Sequence, residues 1–129
     1  MNGRYFLDTN TIIQFLKGNR EIFKIINNSN FLACSVISEL EYLSFNNLQD
    51  DDIALFKEFM TRIKVYDLLH EDNSLKNSIL SIRKSKKVKL PDAIILATSS
   101  NNDCTLITSD KHLLSFKEIY KTINFTPIQ

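Results

Sequence analysis

Apolar positions along this chain fall into two patterns, short unbroken runs and longer stretches spaced three and four residues apart. Tyr5-Phe6-Leu7 is unbroken and ends at Asp8, which predicts a first strand buried on both faces. Ile12, Ile13, Phe15 and Leu16 then share a helical stripe, with Thr9 or Asn10 as the expected cap and Gly18 at the left-handed stop. Ile22, Phe23, Ile25 and Ile26 predict a second short helix, ended by Asn27-Asn28-Ser29-Asn30. Phe31 to Cys34 reads as a second strand, and Ser35 caps a helix whose expected inner face is Val36, Ile37, Leu40 and Leu43. Three acids, Asp50-Asp51-Asp52, suit the positive end of a further helix carrying Ile53, Phe56, Phe59, Met60 and Ile63.

Val65 to Leu69 predicts a third strand, and Leu75, Ile79 and Ile82 place a helix from Asn73 to about Lys86. Pro91 opens the next helix, where its missing N–H does no harm, and Ala93 to Ala97 make that helix apolar on most sides. Thr105 to Thr108 predicts a strand leading into Ser109-Asp110, then a short helix over Leu113, Leu114 and Phe116, and a last strand within Thr122 to Phe125. Strands alternate with helices almost throughout. The expected fold is therefore α/β, a mostly parallel central sheet flanked by helices on both faces in three layers, α/β/α. Residues 1–129 read as one domain, without repeats, linkers or low-complexity tracts.

Composition narrows the functional classes. The 129 residues are 43% hydrophobic and 24% charged, with a formal net charge of +1, so the whole chain is not a strongly basic polyanion binder. The cations that matter are concentrated in Arg83, Lys84, Lys86, Lys87 and Lys89. That run either guides a phosphate backbone or serves as a solvated helix end complementing the helix dipole. Cys34 and Cys104 form no CxxC pair, which fits a reducing compartment and argues against a zinc site; Cys34, inside an apolar run, reads as buried filler. No apolar stretch is long enough to span a membrane, and the first residues do not form a signal peptide, so a cytoplasmic location is expected.

The chemistry lies in where certain acids fall. Asp8 follows the first strand, Asp110 follows the Thr105–Thr108 strand, Glu39 sits early in the helix after the second strand, and Asp92 is in the first turn after Pro91. In a parallel sheet all four approach the carboxyl edge, where such folds place their sites. Each has an ordinary reading alone: Asp8 and Asp110 as helix caps, Asp92 as dipole compensation, Glu39 as a solvated helix residue with Glu41 a near-identical competitor. Together they would repel unless some protonate or a cation neutralises them. Oxygen ligands without His or Cys select hard ions, Mg2+ or Mn2+, suited to activating water against a phosphodiester.

At four segments the sequence resembles the PIN-domain family, and within it the VapC-type toxin ribonucleases of bacterial toxin–antitoxin systems. The segments are Phe6-Leu7-Asp8-Thr9-Asn10, Ser35-Val36-Ile37-Ser38-Glu39-Leu40, Leu90-Pro91-Asp92-Ala93-Ile94-Ile95-Leu96-Ala97-Thr98 and Thr105-Leu106-Ile107-Thr108-Ser109-Asp110. The resemblance implies that Asp8, Glu39, Asp92 and Asp110 are the catalytic, metal-holding acids of a Mg2+-dependent endoribonuclease. It implies supporting roles for Thr9, Asn10 and Thr108, an RNA substrate, a homodimer, and an antitoxin that inserts a basic side chain into the acidic cleft. The chain departs from the pattern at Leu43-Ser44 and at Asn101 to Cys104, where relatives often carry glycine.

Other chemistries find little support. His70 and His112 lack ligand spacing, and no GxxxxGK or GxGxxG loop is present. A haloacid-dehalogenase-type phosphatase would need an aspartate where Asn10 stands. A PIN-like domain that binds RNA or protein without cutting is the rival from a different class. Tyr42, Phe45 and Tyr66 could stack on unpaired bases, although packing roles are the expected ones.

Overall fold

The computed structural model describes residues 3–129. Five strands form one sheet, β1 (Arg4–Leu7), β2 (Phe31–Ser35), β3 (Lys64–Tyr66), β4 (Thr105–Ile107) and β5 (Thr122–Ile123). Their order is β3-β2-β1-β4-β5, and every pair is parallel. The sheet is built outward in both directions from β1, whose register sets Leu7 opposite Cys34 on one side and Ile107 on the other. The chain reverses its direction of winding between β1 and β4, which opens a crevice beyond their carboxyl ends.

Strand alternation sorts the core into two layers. Phe6, Ala33 and Leu106 face one side, where they meet α5 (Asn73–Ser85), α6 (Leu90–Asn101) and α7 (Lys111–Leu114) through Ile79, Ile82, Ala93, Ala97 and Leu113. Leu7, Cys34 and Ile107 face the other side, against α1 (Thr9–Leu16), α2 (Arg20–Asn27), α3 (Val36–Leu43) and α4 (Asp50–Met60) through Ile12, Ile22, Tyr42 and Phe56. The expected three-layer α/β/α arrangement is the one found, and the sheet is parallel throughout. Both cysteines are free and buried, and burial lifts the Cys34 thiol to about 12, so it packs as a small apolar group. Among the described residues no helix is long and apolar enough to cross a membrane.

Three local expectations are corrected. The cap of α1 is Asp8 itself, not Thr9 or Asn10; its Oδ1 accepts from the Thr11 N–H at 2.8 Å. The third strand spans Lys64–Tyr66 and stops short of Leu68 and Leu69, which are exposed. The inner face of α3 is not Leu40 and Leu43; Leu40 is 61% exposed, while Ser38 and Tyr42 are buried. Small Ser38 lets α3 approach α1 closely, with the Thr9 hydroxyl 2.9 Å from Ser38 Oγ. Packing distance, not apolar count, decides which face turns inward.

The C-terminal residues are tied to α1 and α2. Gln14 pairs with Ile128 through both side-chain atoms, at 3.2 and 2.7 Å, and Asn19 Nδ2 donates to the Thr126 carbonyl at 2.9 Å. These polar groups are nearly buried, so their pairing replaces lost hydration and fixes the α1–α2 turn at Gly18, where φ is +95°.

Candidate active site

The sheet's carboxyl edge carries a cleft lined by Asp8, Thr9, Asn10, Ile13, Glu41, Phe45, Asp92, Ser109 and Asp110. Three of the four acids expected from the sequence therefore meet in one place. Asp8 and Asp110 arrive on the loops after β1 and β4, the two strands at the winding reversal. Asp92 arrives in the first turn of α6, set there by Pro91.

The fourth expected acid is elsewhere. Glu39 is half-buried but outside the cleft, and its charge bears on the Cys34 thiol. Glu41 lines the cleft instead, with Oε1 2.5 Å from the Thr9 hydroxyl. The reason is helical phase: residues two apart point about 200° away from each other on an α-helix. Ser38, Glu41 and Tyr42 share the face turned toward α1 and the cleft, and Phe45 follows just beyond the end of α3; Glu39 is not on that face. A signal existed in the sequence, because Ser38 and Tyr42 stand four apart and place Glu41 between them. It was obscured by the apolar pair Leu40 and Leu43.

Asp8 is held tightly and is only 5% exposed. Its Oδ1 takes the Thr11 N–H and lies 2.7 Å from the Thr11 hydroxyl, which also meets the Ile107 carbonyl at 2.6 Å. Its Oδ2 accepts from the Thr108 hydroxyl. Thr108 Oγ1 in turn accepts from the Asp110 N–H at 3.1 Å, so one buried hydroxyl joins the two aspartate loops. Asn10 Nδ2 donates to Ser109 Oγ at 3.3 Å and closes the same seam from outside. Asp110 accepts from the N–H groups of His112 and Leu113, so it caps α7 while facing the cleft.

The electrostatics follow from this crowding. Burial raises the Asp8 carboxyl against the pull of its hydrogen bonds from Thr108 and Thr11, and the charge of Asp110 raises it further. Asp92 is pushed up to about 6, first by desolvation and then by Asp110, Glu41 and Asp8, with Lys89 opposing. These carboxylates form an oxygen-only set suited to a hard divalent ion. Among the described residues no three His, Cys, Asp or Glu side chains are already gathered into a ligand shell. The acids ring the cleft instead of closing on one point. They suit a hydrated divalent ion better than a tightly caged one.

A second cavity adjoins the first and shares Asp92 and Asp110 with it; its other walls are Arg83, Lys87, Val88, Lys89 and His112. The five cations expected to serve together are here divided. Lys87 and Lys89 line this cavity and are exposed. Arg83 lines it too, but donates to the Val88 carbonyl at 2.8 Å and so props the 86–89 loop. Lys86 is occupied elsewhere, donating to the Ser115 carbonyl at 2.7 Å and lying 4.8 Å over the Phe116 ring. Lys84 stays on the exposed end of α5 and lines neither cavity.

A doubly covered parallel sheet with an acidic crevice at the reversal of its winding defines a class of α/β domains that act on ligands at that edge. The family model described as PIN domain matches residues 5–121, and the chain belongs to that family. Solved structures agree on the fold. A toxin–antitoxin complex from Klebsiella pneumoniae is 24% identical, with a TM-score of 0.75 over 97% of this chain and 98% of that one. DNA-bound VapBC from Salmonella typhimurium is 21% identical, with a TM-score of 0.76 over 94% and 97%. VapBC2 from Rickettsia felis, bound to a promoter DNA fragment, is 18% identical, with a TM-score of 0.75 over 98% and 100%. Among curated proteins none matches.

Proposed function

We propose that this PIN domain is a divalent-metal-dependent endoribonuclease and the toxin of a toxin–antitoxin pair. The supporting observation is that Asp8, Glu41, Asp92 and Asp110 surround one cleft and that the pKa of Asp92 is raised there, first by burial and then by the other three. Asp8, Asp92 and Asp110 would hold Mg2+ or Mn2+, with Glu41 taking the place first expected of Glu39. Held there, a divalent ion would supply charge neutralisation at the phosphate and a more acidic water. Thr108 and Thr11 fix Asp8, Thr9 restrains Glu41, and Asn10 with Ser109 holds the rim. Preorganised acids avoid reorganisation when charge develops.

The toxin assignment rests on the complexes that share this fold. In this reading an antitoxin contributes a cation to the acidic cleft, replacing the metal's charge. A homodimer is part of the same proposal, supported by an apolar groove beside the start of α6, walled by Leu68, Leu69, Leu80 and Leu90. A single-chain mass by light scattering would remove the dimer from the proposal.

The purified chain is expected to cut RNA with Mg2+ or Mn2+, to stop when EDTA is added, and to resume when metal is restored. Full cutting in EDTA would overturn the metal-dependent reading. Lys87 and Lys89 should carry part of the backbone affinity. Replacing each by Ala should flatten the salt dependence of single-strand binding by about 0.7 in log–log slope. Lys86→Ala is the comparison, because that ammonium is bound to Ser115 and Phe116; an equal change there would count against the division.

A further inference from the structure

Three aromatic side chains stand near the sheet's carboxyl edge, and the structure separates them. Tyr42 is buried at 7% exposure and stacks on Phe56, with ring centroids 4.1 Å apart and planes 5° apart. Tyr66 ends β3 and stacks on Phe6, away from the cleft. Phe45 is different. It lines the acid cleft and is 45% exposed. Its ring leans on Tyr42 at 5.8 Å and 55°, and its N–H donates to the Tyr42 carbonyl at 3.2 Å. An exposed ring braced from beneath by a buried aromatic pair is a rigid platform, so little freedom is lost when something stacks on it.

We infer that Phe45 stacks on the base of a nucleotide adjoining the scissile phosphate, and that the strand must be unpaired there. This deepens, and rests on, the nuclease reading of the same cleft. The cavity that Phe45 shares with Asp8, Asp92 and Asp110 is about 420 Å³. In an unpaired strand each base is joined to its phosphate through a single sugar, so a base adjoining a phosphate held at the acids falls within the cleft that Phe45 lines. The cavity walled by Lys87 and Lys89 continues from the far side of Asp92 and Asp110, where the neighbouring phosphates would run. Aromatic and apolar groups on one side, cations on the other and acids between them match the base, backbone and reacting centre of one strand. A base inside a duplex is covered on both faces by its neighbours and cannot present a face to Phe45.

The chain contains no tryptophan, so Phe45→Trp makes a single fluorescent reporter at the platform. In an Asp92→Asn background with Mg2+ present, a ten-nucleotide single-stranded RNA should quench that fluorescence saturably. The same sequence in a duplex should do so much more weakly. Phe45→Ala and Phe45→Leu should each weaken binding by about tenfold, and the loss of cleavage should fall on KM more than on kcat. Leucine keeps the apolar bulk without the π-face, so it remains informative if the alanine form is poorly folded by its thermal midpoint. Equal quenching by duplex, or unchanged Kd in both the alanine and leucine forms, overturns the inference. Quenching of the Phe45→Trp form by single strands, together with a wild-type protein that never cleaves, would overturn the nuclease reading and leave the platform standing. Cleavage with no quenching and no change in KM would do the reverse.

Discussion

Replacing Asp92 by Asn should reduce RNA cleavage by about a thousandfold or more while raising the thermal midpoint at pH 7–8. The two effects share one cause. In the folded chain Asp92 titrates near 6, against an ordinary value of 3.8, because it is desolvated and faces Asp110, Glu41 and Asp8. A carboxyl raised in this way binds its proton more tightly in the folded state than in the unfolded one. Its favourable contribution is complete below about pH 4 and disappears as pH rises through 6. Above that the wild-type protein carries the repulsion and the Asn form does not. Allowing for water around a partly exposed group, the gain is about 1–2 kcal/mol, or several degrees in Tm.

Below pH 4 the two midpoints should converge. Millimolar Mg2+ should raise the wild-type midpoint at pH 7 and move the Asn form much less, since an ion stabilises only the state that binds it. Induction of the wild-type gene should arrest growth, and induction of the Asp92→Asn gene should not. A lower midpoint for the Asn form at neutral pH would show that Asp92 stabilises the fold and is not held there against repulsion. Cleavage at the parental rate would remove it from the site.

The second large effect separates two glutamates that differ by two positions. Glu41→Gln should cut cleavage by about 10- to 100-fold, whereas Glu39→Gln should stay within about twofold of wild type. Glu41 lines the cleft and meets Thr9 at 2.5 Å. Glu39 lies around the helix from it, and its charge reaches Cys34 instead of the other acids. Glutamine preserves size and an acceptor oxygen, so the contrast reports charge in the cleft and not packing. Reversed losses would mean that α3 is rotated from the arrangement described here.

Much of the fold was legible because its determinants are local. The unbroken run at Phe6-Leu7, the Ser35 cap, the acids at Asp50 to Asp52 and Pro91 each act within one turn or one strand. Asp8 and Asp110 were legible for the same reason. A residue that ends a strand in a parallel sheet must come to the carboxyl edge whatever packs around it, and Asp92 followed from the proline before it.

The choice of Glu41 over Glu39 could not be made locally. Both sit on the same helix near the same cap, and the apolar residues Leu40 and Leu43 suggested an inner face that the fold leaves exposed. Close packing of α3 against α1, through Ser38 and Thr9, sets the rotation. The basic run was ambiguous in a similar way. Composition made five equivalent cations, and only the contacts with Val88, Ser115 and Phe116 tie Arg83 and Lys86 to the fold. The strand ends, the parallel layering and the aspartates placed by them follow from neighbours along the chain, because short-range periodicity and capping act within a few residues. Which glutamate and which aromatic ring face the cleft, and which lysines line the cavity beside it, depend on long-range packing, because helical phase is set by what a helix packs against.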